Sequence, residues 1–130
     1  MDNLFIKGKD ERPQVNFNAE TGVLELSRSS YPEYTKDLYQ PVMDWLDEYL
    51  HESGKKIEFN FKMDYFNTST SQRFQKIIKK LEDYRDKKNG EVVINWYYEK
   101  TDIDMFENGE DYSKDVKVPF NLIAYEIDDD

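Results

Sequence analysis

Cysteine is absent from the 130 residues, and histidine occurs once, at His51. A chain without thiols has no thiolate nucleophile or thiolate metal ligand. A single imidazole leaves the usual zinc sites short of donors. Glycine is scarce, with five in all, and none stands at the spacing of a phosphate-binding loop or a dinucleotide fingerprint. No Gly-x-Ser-x-Gly elbow occurs. No apolar run approaches the ~20 residues that span a bilayer. The opening MDNLFIKGKDERP lacks the basic-then-apolar layout of an export signal. Positive charge is short as well: 18 Lys and Arg face 28 Asp and Glu, a formal net charge of -10. With a sequence isoelectric point near 4.6, the chain is repelled by phosphate backbones and anionic lipid surfaces. Neither nucleic acid nor membrane is an expected partner, whereas a protein with a basic face fits. These absences predict a cytoplasmic protein with no cofactor or metal.

The length suits one domain, residues 1–130, large enough to bury a core without staples. Residues 3 to 7, 14 to 18 and 22 to 28 read as strands, with Val15 and Phe17 on one face and Leu24 and Leu26 on another; AETG reads as the hairpin turn between the last two. Leu38, Val42, Trp45, Leu46, Tyr49 and Leu50 recur at helical spacing, with Thr35 as the expected N-cap and Gly54 as the stop. Pro41 predicts either a kink or a regular helix that begins near Gln40. Residues 57 to 63 alternate strictly. Phe74, Ile77, Ile78, Leu81 and Tyr84 mark a second amphipathic helix that ends in RDKK and Asn89-Gly90. Residues 91 to 98 and 118 to 127 read as strands. Residues 102 to 115 read as a loop or as a short helix around Met105 and Phe106. The predicted fold is α/β: a single domain with a mixed sheet and helices packed mainly on one face.

One stretch, MDYFNTSTSQRF, is chemically unusual. Thr68, Ser69, Thr70 and Ser71 stand together at the junction of a strand and the second helix. Ser69 followed by Gln72 has capping-box spacing, which explains one hydroxyl by structure alone. The same place suits a switch, because first-turn amides and the helix dipole favour an anion there. A phosphate on one of these hydroxyls would add close to two negative charges. The other dense feature, Asp102, Asp104, Glu107, Glu110 and Asp111, lacks EF-hand register, since Phe106 stands where a ligand is needed. His51 reads as a solvated helix-end residue.

Four motifs carry a resemblance. They are SYPE at Ser30 to Glu33, the Asp44-Trp45 and Tyr49-Leu50 pairs of the first helix, YFNTS at Tyr65 to Ser69, and VVINWYY. In this order the chain resembles the SiaC family of bacterial regulatory phosphoproteins, whose fold is similar to the STAS-like anti-sigma-factor antagonists. The resemblance implies that Thr68 is the phosphoacceptor, beside a capping Ser69 and ordinary first-turn residues Thr70 and Ser71. It implies partner contacts around Tyr31, Pro32, Glu33, Tyr65, Phe66, Asn67 and Gln72. It also implies three partners: a Ser/Thr kinase of the histidine-kinase-like ATPase type, a PP2C-type phosphatase, and a diguanylate cyclase or other signalling target activated by the unphosphorylated form. The chain departs from the family pattern at Tyr34, at Pro41 and in the basic outer face of its second helix. Two readings of other classes compete: a constitutive acidic protein-binding module, and a carboxylate enzyme built on residues 102 to 111.

Overall fold

Alternation of apolar and polar residues in the first 30 positions produces an antiparallel meander. Its strands are β1 (Leu4–Ile6), β2 (Gln14–Phe17) and β3 (Val23–Ser30). The hairpin between β2 and β3 closes on Asn18, whose side-chain oxygen accepts from the N–H groups of Glu20 and Thr21 at 2.9 and 3.0 Å. Gly22 takes φ 73°, and a Cβ there would meet the Lys56 carbonyl oxygen at 2.2 Å, so glycine is required. The structure, a computed structural model, describes residues 1–9, 12–31 and 35–126, with 35 and 36 by their backbone alone. Pro32, Glu33, Tyr34 and the aspartates at 128–130 lie outside the described residues.

After β3 the chain alternates helix and strand: α1 (Thr35–Tyr49), β4 (Lys56–Phe66), α2 (Thr68–Lys88), β5 (Glu91–Glu99), α3 (Ile103–Lys114) and β6 (Phe120–Tyr125). The strand order is β1-β2-β3-β4-β5-β6, antiparallel up to β3 and parallel from there on. Each parallel step needs a crossover, and each crossover carries a helix. The edges are therefore β1 and β6. The expected mixed α/β sheet is present.

Among the described residues the helices pack on one face of the sheet. Val15, Phe17, Leu24, Leu26, Ile57, Phe59, Phe61, Ile94 and Trp96 turn toward the helices and are fully buried. They meet Tyr39, Val42 and Leu46 of α1, and Phe74, Ile77 and Leu81 of α2. Two readings of α1 are corrected. The helix neither starts near Gln40 nor has Thr35 as the residue before it; Thr35 is its first residue, and Pro41 lies inside. Pro41 has no N–H to give, so α1 simply forgoes the bond to Asp37, while Tyr39, Val42 and Leu46 anchor it on both sides of the gap. The ambiguous 102–115 segment is a helix. Only Met105 and Gly109 of α3 are buried, which is why its periodicity is faint.

Candidate functional site

Two strand-to-helix junctions meet at the carboxyl edge of the parallel strands. Parallel pairing of β3 with β4 sets the end of β3 beside the β4–α2 turn. A register shift sharpens the meeting: Arg28 pairs with Met63, but Ser29 pairs with Tyr65, so Asp64 is an extra residue. Arg28 takes φ 74° at this point, a local strain for a non-glycine residue. The bulge reverses the facing of β4. Phe59, Phe61 and Met63 face the helices before it. After it Phe66 does, with ring centroids 5.0 Å from Phe74 and 5.7 Å from Trp96. Tyr65 is thereby turned outward. It stacks on Tyr31 at 4.4 Å with an 18° interplanar angle, and the two rings remain 43% and 47% exposed.

Below this surface lies a buried hydroxyl cluster. Ser30 Oγ is 2.8 Å from Thr70 Oγ1 and 3.2 Å from Tyr39 Oη, and all three residues are completely buried. The cluster ties the end of β3, the start of α1 and the first turn of α2 together. Burial pushes the Tyr39 phenol up to about 12, against the smaller opposing effect of its hydroxyl partners. A second tie runs from Ser71 Oγ to the Tyr112 hydroxyl on α3. Burial raises the Tyr112 pKa as well.

The four hydroxyls of the junction thus divide by position. The helix cap is Asn67, whose side-chain oxygen accepts the Thr70 N–H at 3.0 Å. This corrects the assignment of Ser69. The helix begins two residues earlier than the capping-box spacing implied, so Ser69 sits within the first turn, exposed. Thr70 and Ser71 are not ordinary first-turn residues, since one lies in the buried cluster and the other holds α3. Thr68 is the first helical residue and is exposed, and Gln72 is exposed one turn further on. The N–H groups of Thr68 and Ser69 meet no acceptor among the described residues. No carboxylate stands in this first turn.

A family model described as SiaC family regulatory phosphoprotein matches residues 6–125. This chain belongs to the SiaC family. Among solved structures it is similar to SiaC of Pseudomonas aeruginosa, with a TM-score of 0.88 and 26% identity over 96% of this chain and 100% of that one. It is similar to the same extent, with 26% identity and a TM-score of 0.88, to a chain in the crystal structure of the diguanylate cyclase SiaD in complex with its activator SiaC; 94% of this chain and 99% of that one are covered. An uncharacterized protein of Pseudomonas aeruginosa strain UCBPP-PA14 is 26% identical over 126 residues, 97% of this chain and 99% of its own length.

Of the residues that the SiaC resemblance singled out, the structure brings Tyr31, Tyr65, Phe66, Asn67, Thr68, Ser69 and Gln72 to one edge. Pro32 and Glu33 lie outside the described residues. Phe66 differs from the rest, because it turns into the core. Sequence reasoning missed Tyr39 and Tyr112. Tyr39 had a readable signal: with Val42, Leu46 and Tyr49 it forms an i, i+3, i+7, i+10 stripe. Tyr112 had none, since its partner is 41 residues away. The acidic segment is structural: Asp102 caps α3 by accepting the Met105 N–H at 3.0 Å, and Asp111 pairs with Lys114 at 3.4 Å. Asp104, Glu107 and Glu110 are exposed on α3. No group of three or more potential ligand side chains among the described residues is placed to hold a metal ion. None of their helices is long and apolar enough to cross a membrane.

Proposed function

We propose that this chain is a phosphorylation switch in cyclic-di-GMP signalling, with Thr68 as the phosphoacceptor and no catalytic chemistry of its own. The observation that carries the reading is the first turn of α2. A helix N-terminus favours negative charge. In a chain with 28 carboxylates, the longest helix starts on Thr68, Ser69, Thr70 and Ser71, with no acid in its first turn. The favourable charge is left to be added. Only Thr68 and Ser69 of the four are exposed, and two unpaired amides adjoin them. A phosphate on Thr68 would accept from those amides and face the dipole. Membership in a family of regulatory phosphoproteins supports the same reading.

A kinase of the histidine-kinase-like ATPase type adds the phosphate, and a PP2C-type phosphatase removes it. The target is a diguanylate cyclase, the class that the related SiaC activates in its complex with SiaD. The unmodified form binds and activates, through the Tyr31–Tyr65 platform and the exposed start of α2. Phosphate at Thr68 changes charge and hydration at the edge of that platform and releases the target.

The test is intact mass and site-localised fragmentation of the protein from its own cells, followed by cyclase binding. A species one phosphate heavier, modified at Thr68, is expected. Thr68→Ala should bind the cyclase constitutively, and Thr68→Glu should weaken binding. An unmodified protein under several growth conditions, with both variants binding as wild type, would leave a constitutive binding module instead.

A further inference from the structure

Parallel sheets are normally covered on both faces. Here the block from β3 to β6 has its helices on one side only, and no helix covers the opposite face, although Asn60 and Asn95 at its centre are only 4% and 9% exposed. On it, Asn95 donates to Asn60 at 2.9 Å and Asn121 donates to Asn95 at 3.0 Å, while Asn60 donates to Glu58 at 3.0 Å. This ladder crosses β4, β5 and β6 in register. Its amides satisfy one another, so a flat polar strip persists without a covering layer.

Around the strip, the face is both apolar and acidic. Six large apolar side chains are exposed among the described residues, and four belong here. Phe5 projects opposite to Leu4 and Ile6, Val23 opposite to Leu24, and Tyr65 opposite to Phe66, with Tyr31 stacked on it. Tyr97 and Tyr125 add half-buried rings. The carboxylates are Glu25, Glu58, Asp64 and Glu99; the last two both act on the Tyr125 phenol. Lys56 and Glu91, partners in register, offset each other at the far margin. Lys62 is the cation in the middle. It pairs with Glu25 at 2.9 Å and lies over the Tyr97 ring at 4.7 Å.

We propose that this helix-free face is a docking surface for a basic amphipathic helix of a protein partner, a reading that rests on and extends the Tyr31–Tyr65 partner platform proposed above. Lys62 shows what the face accepts: an ammonium between a carboxylate and an aromatic ring. The Tyr31–Tyr65 stack offers a similar ring to an incoming Lys or Arg, with Asp64 adjacent in sequence in a hollow that Lys9 and Arg28 also line. Charge decides the occupant. A second copy would set carboxylates against carboxylates, and a net charge of -10 opposes anionic lipid and nucleic acid. A face rather than an edge calls for a helix laid across it. At about 4.8 Å per strand, a helix of roughly 16 residues spans the sheet.

The test uses the isotope-labelled, unmodified full chain and an 18-residue helical peptide with leucines on one face and lysines on the other. A scrambled peptide of equal composition and a Leu/Glu version serve as controls. The Leu/Lys peptide is expected to shift the side-chain amide resonances of Asn60, Asn95 and Asn121 and to spare the outer face of α3. Tyr65→Ser, at an exposed position, should weaken it about five-fold, the loss of one cation–π contact. Shifts confined to the carboxylates of α3, equal binding by the scrambled peptide, or unchanged binding by Tyr65→Ser would each overturn the proposal.

Discussion

Helices α2 and α3 leave the same edge of the sheet and are capped in the same way, yet they handle charge differently. Asn67 accepts the Thr70 N–H and Asp102 accepts the Met105 N–H, both at 3.0 Å. From those caps the first turns align position by position: Thr68 with Ile103, Ser69 with Asp104, Thr70 with Met105. In α3 the charge that suits a helix N-terminus is permanent, supplied by Asp102 and Asp104. In α2 it is absent, and exposed hydroxyls take its place. The third positions differ as well. Met105 is buried as an apolar anchor, whereas Thr70 is buried as a hydrogen-bonding one. The lesson is that a helix start can be made stable or made switchable, and a neutral cap over a buried hydroxyl cluster allows the second without loss of the first.

The largest effect should come from the cluster under α2, which α3 lacks. Tyr39 holds its proton up to about pH 12 when folded and up to about 10 when unfolded. Its folded value is raised, so its contribution is complete below pH 10 and is lost as pH rises through 12. The loss is about 3 kcal/mol over that window. Urea unfolding of wild type against Tyr39→Phe between pH 9 and 12 checks this; equal slopes for both would break the assignment. Next, Thr70→Val leaves Ser30 with one partner fewer in a dry site and should cost about 2 kcal/mol. Met105→Leu, at the matching position of α3, removes no hydrogen bond and should cost under about 1.5 kcal/mol.

The caps come third. Asn67→Ala and Asp102→Ala should each cost about 1 kcal/mol. Added salt should shrink the penalty at Asp102 and leave that at Asn67, because only one of them is a charge. Equal salt responses would end the comparison. The smallest effect is the most diagnostic. Thr68→Asp should stabilise the fold by about 0.5 kcal/mol, as a first charge at a free helix start. Ile103→Asp, placed beside Asp102 and Asp104, should gain less through like-charge repulsion. Thermal melts at low ionic strength would read the difference.

The periods along the chain determined most of the architecture. Alternation placed β2, β3 and β4, β composition placed β5, and Phe74, Ile77, Ile78, Leu81 and Tyr84 placed α2, because burial on one face imposes its period on the local sequence. The hydroxyl-rich junction and the SYPE and YFNTS motifs were legible too. The segment 102–115 was only half legible, since two buried residues make a weak stripe. Tertiary structure decided the rest. Asn67 became the cap in place of Ser69 once β4 ended at Phe66. The bulge at Asp64 turned Phe66 inward and Tyr65 outward, which a strict alternation would have reversed. Ser30 met Thr70 across 40 positions, and Ser71 met Tyr112 across 41. Local periodicity records which side of an element is buried. It does not record which element lies opposite, because that depends on the parallel register of strands far apart in the chain, and the candidate site is made of such meetings.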